Sequence, residues 1–346
     1  MREIVARASE WFGRQARALP WRQTRDPYAI WISEVMLQQT QVATVIPYYL
    51  RFLDRFPDVS TLAEAPVDRV LAAWSGLGYY SRARNLHRGA CAIVASHGGA
   101  IPRDRDRLLL VPGIGPYTAG AIASIAFDLP VPLVDGNVQR VLARLHGFEG
   151  TVCTSAATRF FWEQAELWVR AAHSPRIANQ ALMELGATLC SRGSPRCELC
   201  PLNEVCVARA EGRAESLPRR APRRPAVDIW WSALVVHSRG RVLLRRAQAG
   251  EWWEDLWEFP RLESTSRAAW DQQHESLVNA RSGGWESLCV KKHTVTHHRL
   301  HVAVFRTANR RAPALPAGAG LRWIPVAEIP TLPLSALARK VAASAL

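Results

Sequence analysis

Apolar residues recur at helical spacing along most of the chain up to Cys206, then give way to short β-like runs. Ile4, Val5, Ala8, Trp11 and Phe12 share one side of a helix predicted over residues 2–19 and ended by Pro20. A breaker-rich connection, Leu19-Pro20-Trp21-Arg22 and then Asp26-Pro27-Tyr28, leads to a second helix predicted over residues 29–40. That helix is apolar nearly all round, so the pattern buries it. Pro47, Pro57 and Pro66 are read as breaks between the apolar helices that follow, and Trp74-Ser75-Gly76-Leu77-Gly78-Tyr79-Tyr80 opens a helix running through Arg82, Arg84 and His87.

Residues 108–141, LLLVPGIGPYTAGAIASIAFDLPVPLVDGNVQRV, read as a helix end, a tight turn, a helix, a Pro-broken extended segment and a new helix. Further helices are predicted over 137–146, 156–172 and 175–189. Residues 213–225 have no apolar period and read as a linker. Beyond them, β-like runs at 230–236, 241–245 and 301–305 surround a helical stretch at 267–280, which predicts a small α+β domain. An acidic, Trp-rich loop at 250–256 ends in Trp257-Glu258-Phe259-Pro260.

Composition adds a partner class. The 346 residues are enough for two or three domains, and a formal net charge of +14 favours a polyanion. Arginine carries nearly all of that charge, because Lys291, Lys292 and Lys340 are the only lysines. No basic-then-apolar leader opens the sequence and no long apolar run suggests a membrane span. Seven cysteines are few for a disulfide scaffold, so a reducing, cytoplasmic setting is expected.

Candidate chemistry sits at five places. The Pro112-Gly113-Ile114-Gly115 turn reads either as a helix–helix turn and no more or as a place where Gly113 and Gly115 let backbone approach another molecule and Pro116 starts a helix whose free N–H groups suit a phosphate. Glu34 is a carboxyl group in an apolar helix, either paired with an arginine or tuned as a general acid. Gln38 and Gln41, at i+4 and i+7, extend its polar face. Asp135 either caps the next helix or serves a site. The glycines before Tyr79 and Tyr80, with the arginines after them, read as core tyrosines beside a solvated face or as a loop whose ring wedges between bases. Finally, Cys190-x6-Cys197-x2-Cys200-x5-Cys206 places four thiols close enough to share one metal centre, with a spacing unlike the paired units usual for structural zinc.

The hairpin LVPGIGPYTAGAI followed one helix later by VDGNVQRV resembles the helix-hairpin-helix DNA glycosylases, and within them the adenine DNA glycosylase (MutY) family. ISEVMLQQTQV matches the same family along its length. The resemblance implies base flipping, proton donation to adenine by Glu34, and an ionised Asp135 facing an oxocarbenium-like sugar, with Tyr117 and Asn137 orienting or stabilising that intermediate. By the same resemblance Gly113 and Gly115 grip a DNA phosphate, Gln39 enters the base stack, Leu37 lines the adenine pocket, Tyr79 is the wedge and Gln180 faces adenine's edge.

The four cysteines match the family's [4Fe–4S] spacing, which implies a structural cluster. Trp257-Glu258-Phe259-Pro260 resembles the family's Nudix-like C-terminal domain, but residues 267–280 offer only Asp271 and Glu275, so nucleotide hydrolysis is not expected. The family's lesion-reading Phe-Ser-His appears as Val295-Thr296-His297, with Thr296 and His297 left as polar contacts. Loss of the aromatic at Val295 puts the strength of 8-oxoguanine readout in question.

The expected fold is a mostly α catalytic region of the helix-hairpin-helix glycosylase type, in two helical lobes with an iron–sulfur cluster, plus a C-terminal α+β Nudix-like domain. Residues 25–135 are assigned to the barrel module, 1–24 and 136–212 to the cluster lobe, 213–227 to the linker and 228–346 to the last domain. The expected partner of this monomer is double-stranded DNA with adenine opposite 8-oxoguanine or guanine, at a bacterial nucleoid, with no membrane. The rivals are an endonuclease III-like bifunctional lyase and a catalytically silent iron–sulfur DNA-binding module. The lyase family has a lysine where this chain has Tyr117, and no lysine precedes Lys291.

Overall fold

The computed structural model describes residues 1–219, 222, 224–279, 285–307 and 320–346. Arg220, Ala221 and Arg223 of the predicted linker, and Ala280 at the end of a predicted helix, lie outside the described residues. The chain divides into two compact units, Met1–Ala65 with Arg84–Pro222, and Pro66–Ala83 with Arg223–Leu346.

The first unit is helical. It contains α1 (Arg2–Gln15), α2 (Pro27–Leu37), α3 (Val42–Arg55) and α4 (Val59–Glu64). After α5 (Val67–Trp74), which belongs to the second unit, come α6 (Ser81–His97), α7 (Arg105–Leu109), α8 (Pro116–Ala121), α9 (Gly136–Leu145), α10 (Ser155–Arg170), α11 (Pro175–Thr188) and α12 (Val207–Ala210). The helix starts follow their capping residues. Asp26 accepts from the N–H groups of Tyr28 and Ala29 with Pro27 at the first position of α2, and Ser174 and Pro175 repeat the device on α11. One core joins Val5, Ala8 and Phe12 of α1 to Leu142 of α9, Phe161 and Trp168 of α10 and Leu182 and Leu185 of α11.

Four details depart from the sequence expectation. Helix α1 stops at Gln15, not at Leu19, and Ala16 turns extended. The backbone N–H and the side chain of Arg17 are drawn to Glu184 instead. Helix α2 stops at Leu37 with Gln38 as its C-cap, and Gln39 takes a left-handed φ of 57°, so the helical spacing from Glu34 reaches Gln38 at i+4 but does not extend to Gln41 at i+7. Pro47 lies inside α3, where the buried stripe Val45, Tyr49 and Phe52 outweighs one missing N–H. The predicted linker is partly docked: Leu217 is buried, and residues 151 and 219 form a bridge.

The second unit adds an α+β domain to α5. Its elements are β1 (Val227–Val235), β2 (His237–Ser238), β3 (Arg241–Arg246), β4 (Trp257–Glu258), β5 (Arg261–Ser264), α13 (Arg267–Asn279), β6 (Trp285–Val295), β7 (His298–Thr307), β8 (Leu321–Pro325) and α14 (Ala336–Ala345). One sheet has the order β5-β1-β7-β6, with β1 and β7 parallel; the other has the order β2-β3-β4, with β8 also on β3. Trp231, Val302, Val304, Phe259 and the buried face of α14 form the main core. The sequence pattern missed β6, whose residues are mostly exposed or half-buried and include Lys291 and Lys292.

Candidate active site

A cavity of about 1020 Å³ opens in the first unit, lined among others by Glu34, Leu37, Gln39, Tyr117, Asp135, Asn137 and Gln180. Seven of the residues singled out in the sequence therefore share one wall.

Helix α2 brings Glu34 to this cavity because all its residues from Tyr28 to Met36 are buried. Glu34 is only 4% exposed, and burial pushes its carboxyl up to about 7. Tyr117, in the first turn of α8, donates its hydroxyl to Glu34 Oε2 at 2.5 Å, which holds the carboxyl lower than burial alone would. The negative charge of Asp135 acts upward on Glu34 and the Arg22 guanidinium acts downward. Tyr117 itself is raised well above the ordinary phenol range by burial beside these carboxylates. The group can thus hold a proton near neutral pH.

Asp135 combines a capping position with a place in the cavity lining. It is the N-cap of α9, accepting from the N–H of Asn137 at 3.0 Å and of Val138 at 2.7 Å, and it also faces the cavity. Burial raises its carboxyl above the ordinary aspartate range. The two backbone donors, the Arg140 charge and the Asn137 amide all act the other way. Asn137 Nδ2 donates to Asp135 Oδ2 at 3.2 Å, while its own Oδ1 accepts from Arg140 Nη2 at 2.9 Å. Arg140 continues to the carbonyls of Gly186 and Cys190. A chain of donors thus runs from the cysteine loop to Asp135.

The sequence reading missed three charged residues of the same wall. Buried Glu184 receives Arg17 Nε at 2.7 Å on one oxygen, with Arg17 Nη2 and Arg22 Nη2 at 2.7 Å on the other, and these cations hold its carboxyl down at about 2. The only sequence signal was a carboxyl group inside an otherwise apolar helix, the same signal that exposed Glu34. Gln180 is buried, and its amide donates to the Arg176 carbonyl within α11.

The hairpin turn lies off the cavity lining. Gly113 has a φ of +84°, and a Cβ there would meet that of Asn85 at 2.7 Å, so glycine is required. At Gly115, the N-cap of α8, a Cβ would meet nothing within 4 Å, which leaves the helix entrance open to a ligand. Tyr79, in the second unit, is 45% exposed with a left-handed φ of 47°. Tyr80 beside it is buried, as the reading of core tyrosines expects.

The four clustered cysteines are free thiols and half-buried. Burial pushes Cys200 up to about 11 and raises Cys197 and Cys206, and each of these three also feels the charge of Cys190. Among the described residues, no three His, Cys, Asp or Glu side chains converge on a geometry that holds a metal ion. The donor chemistry nonetheless fits a thiolate-bound group: the set is all sulfur, and buried Arg144 directs Nη1 to Cys190 Sγ at 3.2 Å.

In the second unit, Val295 pairs with His298, leaving Thr296 and His297 as a two-residue hairpin turn. Thr296 is exposed with a φ of 56°, and the His297 and His298 rings lie 3.9 Å apart. Val295 packs against the domain core rather than standing free as a wedge.

Two families match successive parts of the chain. Residues 32–166 match the HhH-GPD superfamily of base excision DNA repair proteins, and residues 232–344 match the NUDIX domain. The adenine DNA glycosylase of Mus musculus is 35% identical over 96% of this chain and 75% of its own length. That of Buchnera aphidicola subsp. Baizongia pistaciae is 34% identical over 84% of this chain and 81% of its own. Among solved structures, a thermostable thymine-DNA glycosylase superimposes with a TM-score of 0.55 at 28% identity, covering 61% of this chain and 97% of that one. Endonuclease III in a non-covalent DNA complex gives 0.50 at 25%, covering 61% and 95%. The chain belongs to the adenine DNA glycosylase family, within the HhH-GPD superfamily of base excision DNA repair proteins.

Proposed function

We propose that this enzyme hydrolyses the N-glycosidic bond of adenine mispaired with 8-oxoguanine or guanine in double-stranded DNA. The observation that carries the reading is Glu34, a carboxyl group whose pKa of about 7 keeps it partly protonated at neutral pH in a cavity it shares with Asp135. Undamaged adenine is a poor leaving group inside the stack, so the nucleotide is flipped out at a cost of about a few kcal/mol. Glu34 gives its proton to a ring nitrogen of adenine, and the bond between C1′ and N9 breaks with its electron pair leaving on the base. Asp135, as the anion, faces the cationic sugar, and water adds to C1′ while its proton restores Glu34. Asn137 and Arg140 favour the anionic form of Asp135, and Tyr117 orients Glu34.

Around this centre Leu37 and Gln180 contact the base, Gln39 and Tyr79 enter the stack, and Gly113 with Gly115 meets a phosphate. Thr296 and His297 read the opposite base. Cys190, Cys197, Cys200 and Cys206 are the residues that would hold a [4Fe–4S] cluster, which would brace the DNA-binding surface and take no part in the chemistry at Glu34 and Asp135. Residues 25–135 form one lobe around the cavity, 1–24 with 136–212 the other, joined by 213–227 to the reader domain at 228–346. The reducing cytoplasm, at a bacterial nucleoid, is the setting that suits this cofactor and substrate.

The test is single-turnover base release from duplexes with adenine opposite 8-oxoguanine, guanine, cytosine and thymine. Release is expected from the first two, leaving an intact strand cut only by alkali. Equal release from all four, or none, overturns the reading. Efficient borohydride trapping, lost on replacing Lys291, Lys292 or Lys340, favours the lyase instead.

A further inference from the structure

We infer that the C-terminal domain sets the conformation of the loop that carries Tyr79, through Arg339 and the backbone carbonyl of Leu334. The inference rests on Tyr79 being the wedge of the proposed function and names what positions it.

The loop from Ser75 to Tyr80 follows α5 and belongs to the same compact unit as the C-terminal domain. It holds three left-handed residues, Gly76 at φ 109°, Gly78 at φ 70° and Tyr79 at φ 47°. Glycine adopts such angles freely, whereas an aromatic residue holds one only where its surroundings fix it. Contacts within the loop supply part of this. Trp74 Nε1 donates to the Gly78 carbonyl at 3.2 Å. Arg82 Nη2 donates to the carbonyls of Leu77 and Gly78, and its guanidinium lies 5.5 Å from the Tyr79 ring centre.

Further anchors come from the C-terminal domain and take hold of both loop ends. Arg339, on α14, donates to Ser75 Oγ from Nε at 2.9 Å and from Nη2 at 2.7 Å, and Nη2 also reaches the Leu332 carbonyl at 3.1 Å. At the other end, buried Tyr80 donates its hydroxyl to the Leu334 carbonyl at 2.9 Å, which Ser75 Oγ also approaches at 3.3 Å. Arg246 of β3 adds an ion pair of 2.6 Å to Asp68 of α5. Ser75 and Tyr80 bracket the strained residue, and both are fastened to one stretch between Leu332 and Arg339. Tyr79 and the Thr296–His297 turn therefore ride on one unit. The domain that presents the turn also presents the aromatic ring, although Tyr79 lies within the residues matched by the glycosylase superfamily.

The experiment measures single-turnover rates on adenine opposite 8-oxoguanine and opposite guanine for the full chain carrying Tyr79→Ala, Arg339→Ala, Arg339→Lys, Tyr80→Phe, and Tyr79→Ala with Arg339→Ala. Arg339→Ala is expected to lower the preference for 8-oxoguanine about fivefold. Arg339→Lys keeps one donor for Ser75 Oγ and should recover at least half of that loss. Added to Tyr79→Ala, Arg339→Ala should change nothing further, since both act through one ring; general loss of structure would add instead. Tyr80→Phe keeps the packed ring, removes only the hydroxyl and should shift the preference in the same direction. A full preference in Arg339→Ala beside a reduced one in Tyr79→Ala overturns this inference alone, as do additive losses in the double variant. An unchanged Tyr79→Ala overturns the wedge reading and this inference together.

Discussion

Tyr117 donates to Glu34 across 2.5 Å at a point where burial and the Asp135 charge both favour the neutral acid. This hydrogen bond is the largest force acting the other way, since it stabilises the carboxylate. Base release that needs the protonated acid should therefore fall as pH rises through about 7. In Tyr117→Phe the carboxylate loses its donor and Glu34 rises further, so the falling limb should move up by about one pH unit, a conservative share of a charged hydrogen bond. Single-turnover release between pH 5 and 9 locates the limb whatever the height of the plateau.

Glu34→Gln keeps the shape and loses the proton. It should bind mispaired duplex as wild type does and release adenine at least about a hundredfold more slowly. The same variant also reports on stability. Because the folded-state pKa of about 7 lies above the ordinary 4.5, the folded protein holds this proton over that range and loses stability as pH rises through it. Thermal unfolding should show Glu34→Gln more stable than wild type at pH 8, with the difference gone near pH 4. A constant difference would mean that the carboxyl is not the titrating group.

Asp135→Asn separates the capping of α9 from the anionic role proposed for Asp135. Asparagine caps a helix about as well as aspartate, so α9 should start where it does now and the melting temperature should move little. The anion is lost, and adenine release should fall about a hundredfold or more. A folded variant with normal turnover would leave Asp135 as a cap and nothing else.

Much of the site was legible because burial was. Glu34 stood out as a charge in a helix without a polar face, and Asp135 as a capping residue in a family motif. What stayed hidden depends on pairing across long separations. Nothing local tells that Arg17 and Arg22 converge on Glu184, more than 160 residues away, or that this pull ends α1 early. The path of the polar seam from Gln38 to Gln41 was hidden for a related reason. A periodicity argument holds only while the helix lasts, and the chain turns left-handed at Gln39, yet both residues still reach the cavity. In the C-terminal domain, β6 escaped because its residues are mostly exposed or half-buried and its apolar alternation is weak.

Cys197→Ser tests the cysteine cluster. Wild-type protein should carry about four irons per chain, and the variant should lose the iron and its DNA affinity together. Arg140 bonds the Cys190 carbonyl and the Asn137 amide, so disorder at the cysteine loop should reach Asp135 as well. Metal analysis showing zinc instead of iron, with full activity, would assign the same thiols to the other centre.

The lesion reader gives the last test. Thr296 and His297 form the turn of the β6–β7 hairpin, and the register from Val295–His298 inward keeps that turn at the strand ends. Val295 is engaged with the core, so Val295→Phe should leave the preference level, its ring having no free position from which to wedge. On the proposed reading, the Thr296 hydroxyl and the His297 ring are the groups that meet the base opposite adenine. The Thr296 hydroxyl lies 3.4 Å from His297 Nδ1, at the limit of a hydrogen bond, so each remains available to a partner. Burial and the neighbouring His298 charge hold His297 below its ordinary value, and at pH 7 it is a neutral donor and acceptor. A lost contact to a base edge costs about 1–3 kcal/mol in discrimination. Thr296→Ala with His297→Ala should therefore reduce the preference for 8-oxoguanine over guanine about tenfold or more, while release opposite guanine changes little. Parallel single-turnover rates on the two duplexes decide it, and an unchanged ratio would place the reader elsewhere in the chain.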